Sequence, residues 1–443
     1  MRNYCLTALY FILSLMVYVA GNAAENIPGE ATQARNVIVY LATGLGTQQY
    51  DLLEAVCRHE GKTSALGQMS RTGMMHVSIE GAAIPDTEGA ASTLATGVKC
   101  RPGVLSATGE GQPLETILEQ AMKQGRLSAL ITLGDLSRGG LGAFATHTLQ
   151  KSDAAQRASL LVNSGASVLV GADIQLFRRT KNSSGESLLE SLQNSGYDII
   201  DGSREQLLRQ QRLPVAGFFQ HRYRADLKYF KQEPRQDQIL FKVWSLLNQN
   251  PGGFFMVVET QGLDDSCRLG DIAGLVYELQ QLDEAVAAGQ RFAQSNPDTL
   301  LLVVSPHETG NFLMIEDWMP NLLEKYKTIR CSPRYAEDFL EEQPTPLEAM
   351  KVFRDKVGIE ALEQPELARI KGIPMGEPRM QVIADIITHH VNGGQFLQST
   401  PSGRRTPFFV KGPGEDLWPG EIDNTDVASL LRQAMGIAEE SSQ

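Results

Sequence analysis

With 443 residues, 42% hydrophobic and 21% charged, the chain is long enough to bury a large core, either as one big α/β domain with insertions or as two to three domains. A formal net charge of -12 argues against nucleic acid or an anionic membrane surface as the main partner. Residues 1–24 carry Arg2, an apolar run from Leu6 to Ala20 and a small-residue end, Gly21-Asn22-Ala23-Ala24, which is the pattern of a secretory signal peptide. The run is short for a spanning helix and a polar segment follows it. Cleavage near Ala23 or Ala24 is therefore expected, leaving a secreted or periplasmic chain without a membrane anchor. Cys5 leaves with the leader. Cys57, Cys100, Cys267 and Cys331 stay, an even number with three possible disulfide pairings; four buried thiols are the other reading.

The run Asn36 to Thr43, NVIVYLAT, is nearly continuous apolar and reads as a buried parallel strand. Next, Pro85 to Lys99, PDTEGAASTLATGVK, places Asp86 and Thr87 in a turn that enters a helix of very small residues. The first turn of such a helix offers unpaired N–H groups to an anion, although tight core packing explains the same pattern. Further strand-like runs are expected at Leu130 to Thr132, Val168 to Val170, Phe254 to Glu259, Leu300 to Ser305 and Phe408 to Val410. Between them, Ile117, Leu118 and Ala121, then Ile239, Val243, Leu246 and Leu247, then Leu275, Leu279, Leu282 and Val286 are spaced for one buried helix face. The alternation predicts an α/β fold with a mainly parallel, doubly wound sheet, whose ligands gather at the carboxyl ends of strands. Two polar stretches, at about 178–235 and 319–392, read as insertions on a single domain spanning 25–443.

Taken together, the strand ends resemble the alkaline phosphatase family in order along the whole mature chain. NVIVYLATGLG is similar to the family's first strand with its GDGMG loop, and PDTEGAASTLATGVK to its nucleophile segment. GFFMVVETQGLDD is similar to GFFLMVEGGxID, SPHETGN to ADHETGG, and TPFFVKGPGEDLWPGEIDNTDV to the closing segment. The resemblance implies a sandwich of a large sheet with helices on both faces, and phosphomonoester hydrolysis by a serine assisted by two zinc ions with magnesium nearby. It places Thr87 at the nucleophile and Lys151 at the phosphate-gripping arginine. Glu259, Asp264 and His307 keep ligand side chains, one for each metal site. The other ligand positions fall at Thr43, Arg138, Gly140, Arg268, Pro306 and Pro401.

One protein ligand per site is too few for a zinc ion, which takes at least three, and the two arginines bring positive charge where a cation belongs. The expectation is a secreted pseudoenzyme with no working metal cofactor, zinc and magnesium returning only if the family chemistry survives. Its partners would be phosphate or a phosphorylated small molecule, gripped by Thr87, Lys151, Arg138 and Arg268, and a second copy in a homodimer. A guanidinium from Arg138 or Arg268 is expected within salt-bridge distance of Glu259 or Asp264. The alternative is an active phosphoric-ester hydrolase with Thr87 as nucleophile, His307 as base and Asp264 behind it.

Overall fold

The apolar runs starting near Asn36, Leu127, Phe254 and Thr299 become four adjacent strands at the centre of one ten-stranded sheet. The computed structural model describes residues 33–148, 153–219, 234–392 and 394–438. The expected leader and Lys151 lie outside the described residues. In chain order the strands are β1 (Asn36–Leu41), β2 (Arg71–His76), β3 (Leu127–Asp135), β4 (Val168–Ala172), β5 (Asp198–Asp201), β6 (Val215–Phe218) and β7 (Phe254–Glu259). There follow β8 (Thr299–Val304), β9 (Glu308–Thr309), β10 (Phe312–Met314), β11 (Gly394–Phe396), β12 (Pro401–Ser402), β13 (Thr406–Lys411) and β14 (Glu421–Asp423). The large sheet runs β14-β2-β13-β8-β1-β7-β3-β4-β6-β5. Only β13 runs against its neighbours, pairing antiparallel with β2 and β8.

Every residue of β1, β7 and β8 is buried because helices cover both faces of the sheet. Val37, Val39 and Leu41 point into one core and Ile38 and Tyr40 into the other, the period-two alternation of a strand. The second of these cores packs against α1 (Thr47–His59) and α4 (Ile272–Ser295), the first against α2 (Thr87–Thr96). The span 319–392 folds as a group of helices whose longest member, Glu377–Val391, packs on α4 and on α3 (Gln261–Leu269). The span 178–235 departs from the expected insertion over the sheet: β5 and β6 fall inside it and extend the sheet by parallel pairing with each other and with β4. Cys57, Cys100, Cys267 and Cys331 are all buried free thiols, so no disulfide joins them. Among the described residues no helix is long and apolar enough to cross a membrane.

Candidate active site

The carboxyl ends of β8, β1, β7 and β3 lie side by side, and the residues just past them form the floor of a cleft. Thr43 follows β1, Glu259 ends β7, Arg138 follows β3 and His307 follows β8. Helix α2 brings Thr87 to the same place. Its N-cap Asp86 accepts hydrogen bonds from the backbone of Gly89 at 3.0 Å and of Gly103 at 2.5 Å, which anchors the turn. Burial pushes the Asp86 carboxyl up from its ordinary range, opposed by those two N–H groups. The cleft encloses about 260 Å³ and is lined by Thr43, Thr87, Arg138, Arg157, Asp264 and Arg268, among others. A larger cleft of about 820 Å³ opens beyond Arg138 over β4 and β6, away from Thr87 and Asp264.

Glu259 is fully buried and its two oxygens receive four hydrogen bonds. Oε1 accepts from Thr43 Oγ1 at 2.9 Å and from the Gly140 N–H at 2.8 Å. Oε2 accepts from the Leu141 N–H and from Gln261 Nε2, both at 3.2 Å. Burial pushes the carboxyl up to about 7 against the pull of these donors. The backbone wraps closely to do this: Gly139 has φ +72°, and a Cβ there would stand 2.5 Å from Glu259 Oε1. Only glycine suits both conditions.

Asp264 sits one turn before Arg268 on α3. Arg268 Nε donates to Asp264 Oδ2 at 2.7 Å, the salt bridge expected from the sequence. Arg138 is half exposed and pairs with Asp265 at 3.3 Å rather than with Glu259 or Asp264. The other oxygen of Asp264 accepts from Thr309 Oγ1 at 2.5 Å. Thr309 Oγ1 also lies 3.0 Å from His307 Nδ1, and His307 Nε2 lies 2.7 Å from Thr87 Oγ1. His307 and Thr309 are fully buried, and Thr87 is 8% exposed. Burial lowers the pKa of His307, opposed by the charge of Asp264, so the ring is neutral near pH 7.

Thr87, His307 and Asp264 thus come together, Asp264 through Thr309 rather than by direct contact. Thr309 lies behind the cleft in the SPHETGN segment, whose motif does not disclose its link to Asp264. Arg157, which lines the cleft, carries no signal in the sequence; it lies on the helix Ala154–Val162 and pairs through Nη1 with Glu88 at 2.8 Å. Arg157 Nε is buried without a hydrogen-bond partner among the described residues. His147, beyond the end of β3, is held by Glu119 at 2.9 Å and by the Ser106 carbonyl at 2.8 Å.

These donors do not fit two zinc ions and a magnesium. Both Glu259 oxygens face protein N–H and O–H groups, a guanidinium lies against Asp264, and both His307 nitrogens meet hydroxyls. Pro306 and Pro401 offer no side-chain donor, and Gly140 contributes only its backbone. Among the described residues no group of three or more His, Cys, Asp or Glu is arranged to hold a metal ion.

The family profile for alkaline phosphatase matches residues 34–326. The chain is 24% identical to alkaline phosphatase 4 of Bacillus subtilis over 418 residues, 91% of this chain and 89% of that protein. The crystal structure of Thermus thermophilus alkaline phosphatase superposes with a TM-score of 0.84 at 21% identity, covering 94% of each chain. The cold-active enzyme from a psychrophilic Shewanella does so at 0.75 and 22% identity, covering 90% of this chain and 99% of that one.

Proposed function

We propose that this chain, which belongs to the alkaline phosphatase family, is an exported pseudoenzyme that keeps the fold and cleft without the two-zinc phosphomonoesterase chemistry. The observation that carries this reading is the closure of Glu259, whose oxygens are met by four protein donors where a cation would need open lone pairs. Its ligand is a small anion of the phosphate class. Arg138, Arg157 and Arg268 line the cleft, each against a carboxylate, and three guanidinium groups around one small cleft suit an anion. Phosphate stabilises the protein against heat on this reading. Metal analysis of the purified protein together with a phosphomonoesterase assay is the test. Protein without bound zinc and without turnover is expected; stoichiometric zinc with turnover that disappears in Thr87→Ala overturns the reading.

One observation favours a second reading, an active phosphoric-ester hydrolase that works without metal. Thr87 Oγ1 stands 2.7 Å from His307 Nε2, the separation of a hydroxyl nucleophile and its base. Turnover by metal-free protein, abolished in both Thr87→Ala and His307→Gln, selects this reading over the first.

A further inference from the structure

Thr309 joins the two halves of the site. Its hydroxyl lies 2.5 Å from Asp264 Oδ1 and 3.0 Å from His307 Nδ1, and it carries a single hydrogen. Asp264, paired with Arg268, is an acceptor only. If the hydrogen pointed to His307, two oxygens without a proton between them would face each other at 2.5 Å in a buried place, which is costly. The hydrogen therefore goes to Asp264. The lone pair of Thr309 is left for His307, which must donate to it from Nδ1–H. A neutral imidazole with a proton on Nδ1 has a bare Nε2, and that nitrogen is the one facing Thr87. The direction of the hydrogen bonds from Asp264 to Thr87 agrees with that one proton on Thr309, and the Glu308 backbone gives the His307 ring a further partner beside it.

We propose that Thr309, backed by Asp264, fixes His307 as the Nδ1–H tautomer, so that on the hydrolase reading Nε2 serves as general base for attack of Thr87 on a tetrahedral phosphorus ester. The tautomer stands on either reading; the base role rests on the second, hydrolase reading and falls with it. Thr309 is a positioning residue; Thr87 and His307 meet the reacting atoms. As Thr87 Oγ1 forms its bond to phosphorus, its proton passes to His307 Nε2. The bond from phosphorus to the leaving oxygen then breaks, and that oxygen, on the far side of phosphorus from His307, takes its proton from water, leaving hydroxide. Water then attacks the phosphothreonine from the same far side and gives its proton to that hydroxide, while the departing Thr87 oxygen takes back the proton held on Nε2.

Two measurements on the full chain, freed of metal by a chelator, test this. Long-range proton–nitrogen correlation spectra of histidine-labelled protein, with His307 assigned by His307→Gln, read the tautomer. Nδ1–H is expected in the native protein and in Thr309→Ser, and a loss of that preference in Thr309→Val. The second is the rate at which a fluorophosphonate probe modifies Thr87, followed by peptide mass spectrometry. In that reaction the Oγ–P bond forms, the P–F bond breaks, and fluoride leaves while the proton goes to His307. Thr309→Val is expected to slow labelling by at least about tenfold, with Thr309→Ser within about twofold of the native rate. Asp264→Asn, whose amide can donate to Thr309 and reverse the chain, slows it as well and serves if Thr309→Val melts below the working temperature. Native-rate labelling of folded Thr309→Val, or an Nε2–H tautomer in the native protein, overturns the role of Thr309 alone. Absence of labelling at Thr87 in the native protein overturns the hydrolase reading beneath it.

Discussion

Two regions of the cleft hold a buried acidic side chain, and they accommodate its burial in different ways. Around Glu259 the backbone closes in. Gly140 and Leu141 aim N–H groups at the carboxylate while Thr43 and Gln261 complete the shell, leaving no oxygen facing the cleft unmet. Around Asp264 the arrangement is open-ended. A carboxylate between Arg268 and Thr309 orders a line of hydrogen bonds that ends on a hydroxyl at the cleft surface. A saturated carboxylate is a structural element whose removal costs stability. A directed chain fixes the orientation of the group at its end, and its removal frees that group. The difference teaches that an acidic side chain says little about its role until its partners are known.

The contrast breaks first at Glu259. Glu259→Ala leaves two backbone N–H groups and the Thr43 hydroxyl without their acceptor, while the Gln261 amide keeps the Asp135 and Arg138 carbonyls, and is expected to lower stability by about 4 kcal/mol in urea unfolding. A loss below about 1 kcal/mol would mean the shell carries no weight. Stability is also expected to depend on pH through this residue. Its folded pKa of about 7 lies above the ordinary carboxyl value of 4.5, so between these values the native state holds a proton that the unfolded chain releases. Stability contributed by Glu259 is thus fully present below about pH 4.5 and lost as pH rises through about 7, on the order of 3 kcal/mol in all. Asp283, also raised by burial, to about 6, adds a slope of the same sign, so the measurement is the difference between native protein and Glu259→Gln. A difference independent of pH over that range contradicts the assignment.

The smallest effects sharpen the contrast on the other side. Arg268→Ala removes the partner of a mostly buried carboxylate and should cost about 1 kcal/mol, whereas Arg138→Ala, half exposed beside Asp265, should change stability by less than about 0.5 kcal/mol. Equal effects of the two substitutions would show that Arg268 does not anchor the chain.

The central strands were legible because their burial on both faces produces unbroken apolar runs. β2, RTGMMH, and β5, DIID, were not, since both have exposed positions and neither forms such a run. β5 and β6 sit at the sheet edge inside a Gln- and Arg-rich stretch, and composition alone suggested a covering insertion there. In the site, the placing of Thr87 beside His307 depended on the order of motifs along the chain, because the residues are 220 positions apart. Thr309 lies in the SPHETGN motif, which marks the loop but not the link to Asp264. Its part is set by β9 pairing with β12, which places it opposite Pro401, and by the approach of α3, neither of which a local pattern records. The same holds for Arg157, whose reach into the cleft is a property of helix packing.

The tight backbone around Glu259 also bears on how the loop could be redesigned. At Gly140 a Cβ would meet the Ala91 methyl at 2.7 Å and Leu41 at 3.0 Å. At Gly139 the obstacle is Glu259 itself. No side chain enters this loop by one substitution without displacing α2, β1 or the carboxylate, so these two glycines behave as one unit with Glu259: a new group at either position requires compensating changes on the elements that face it.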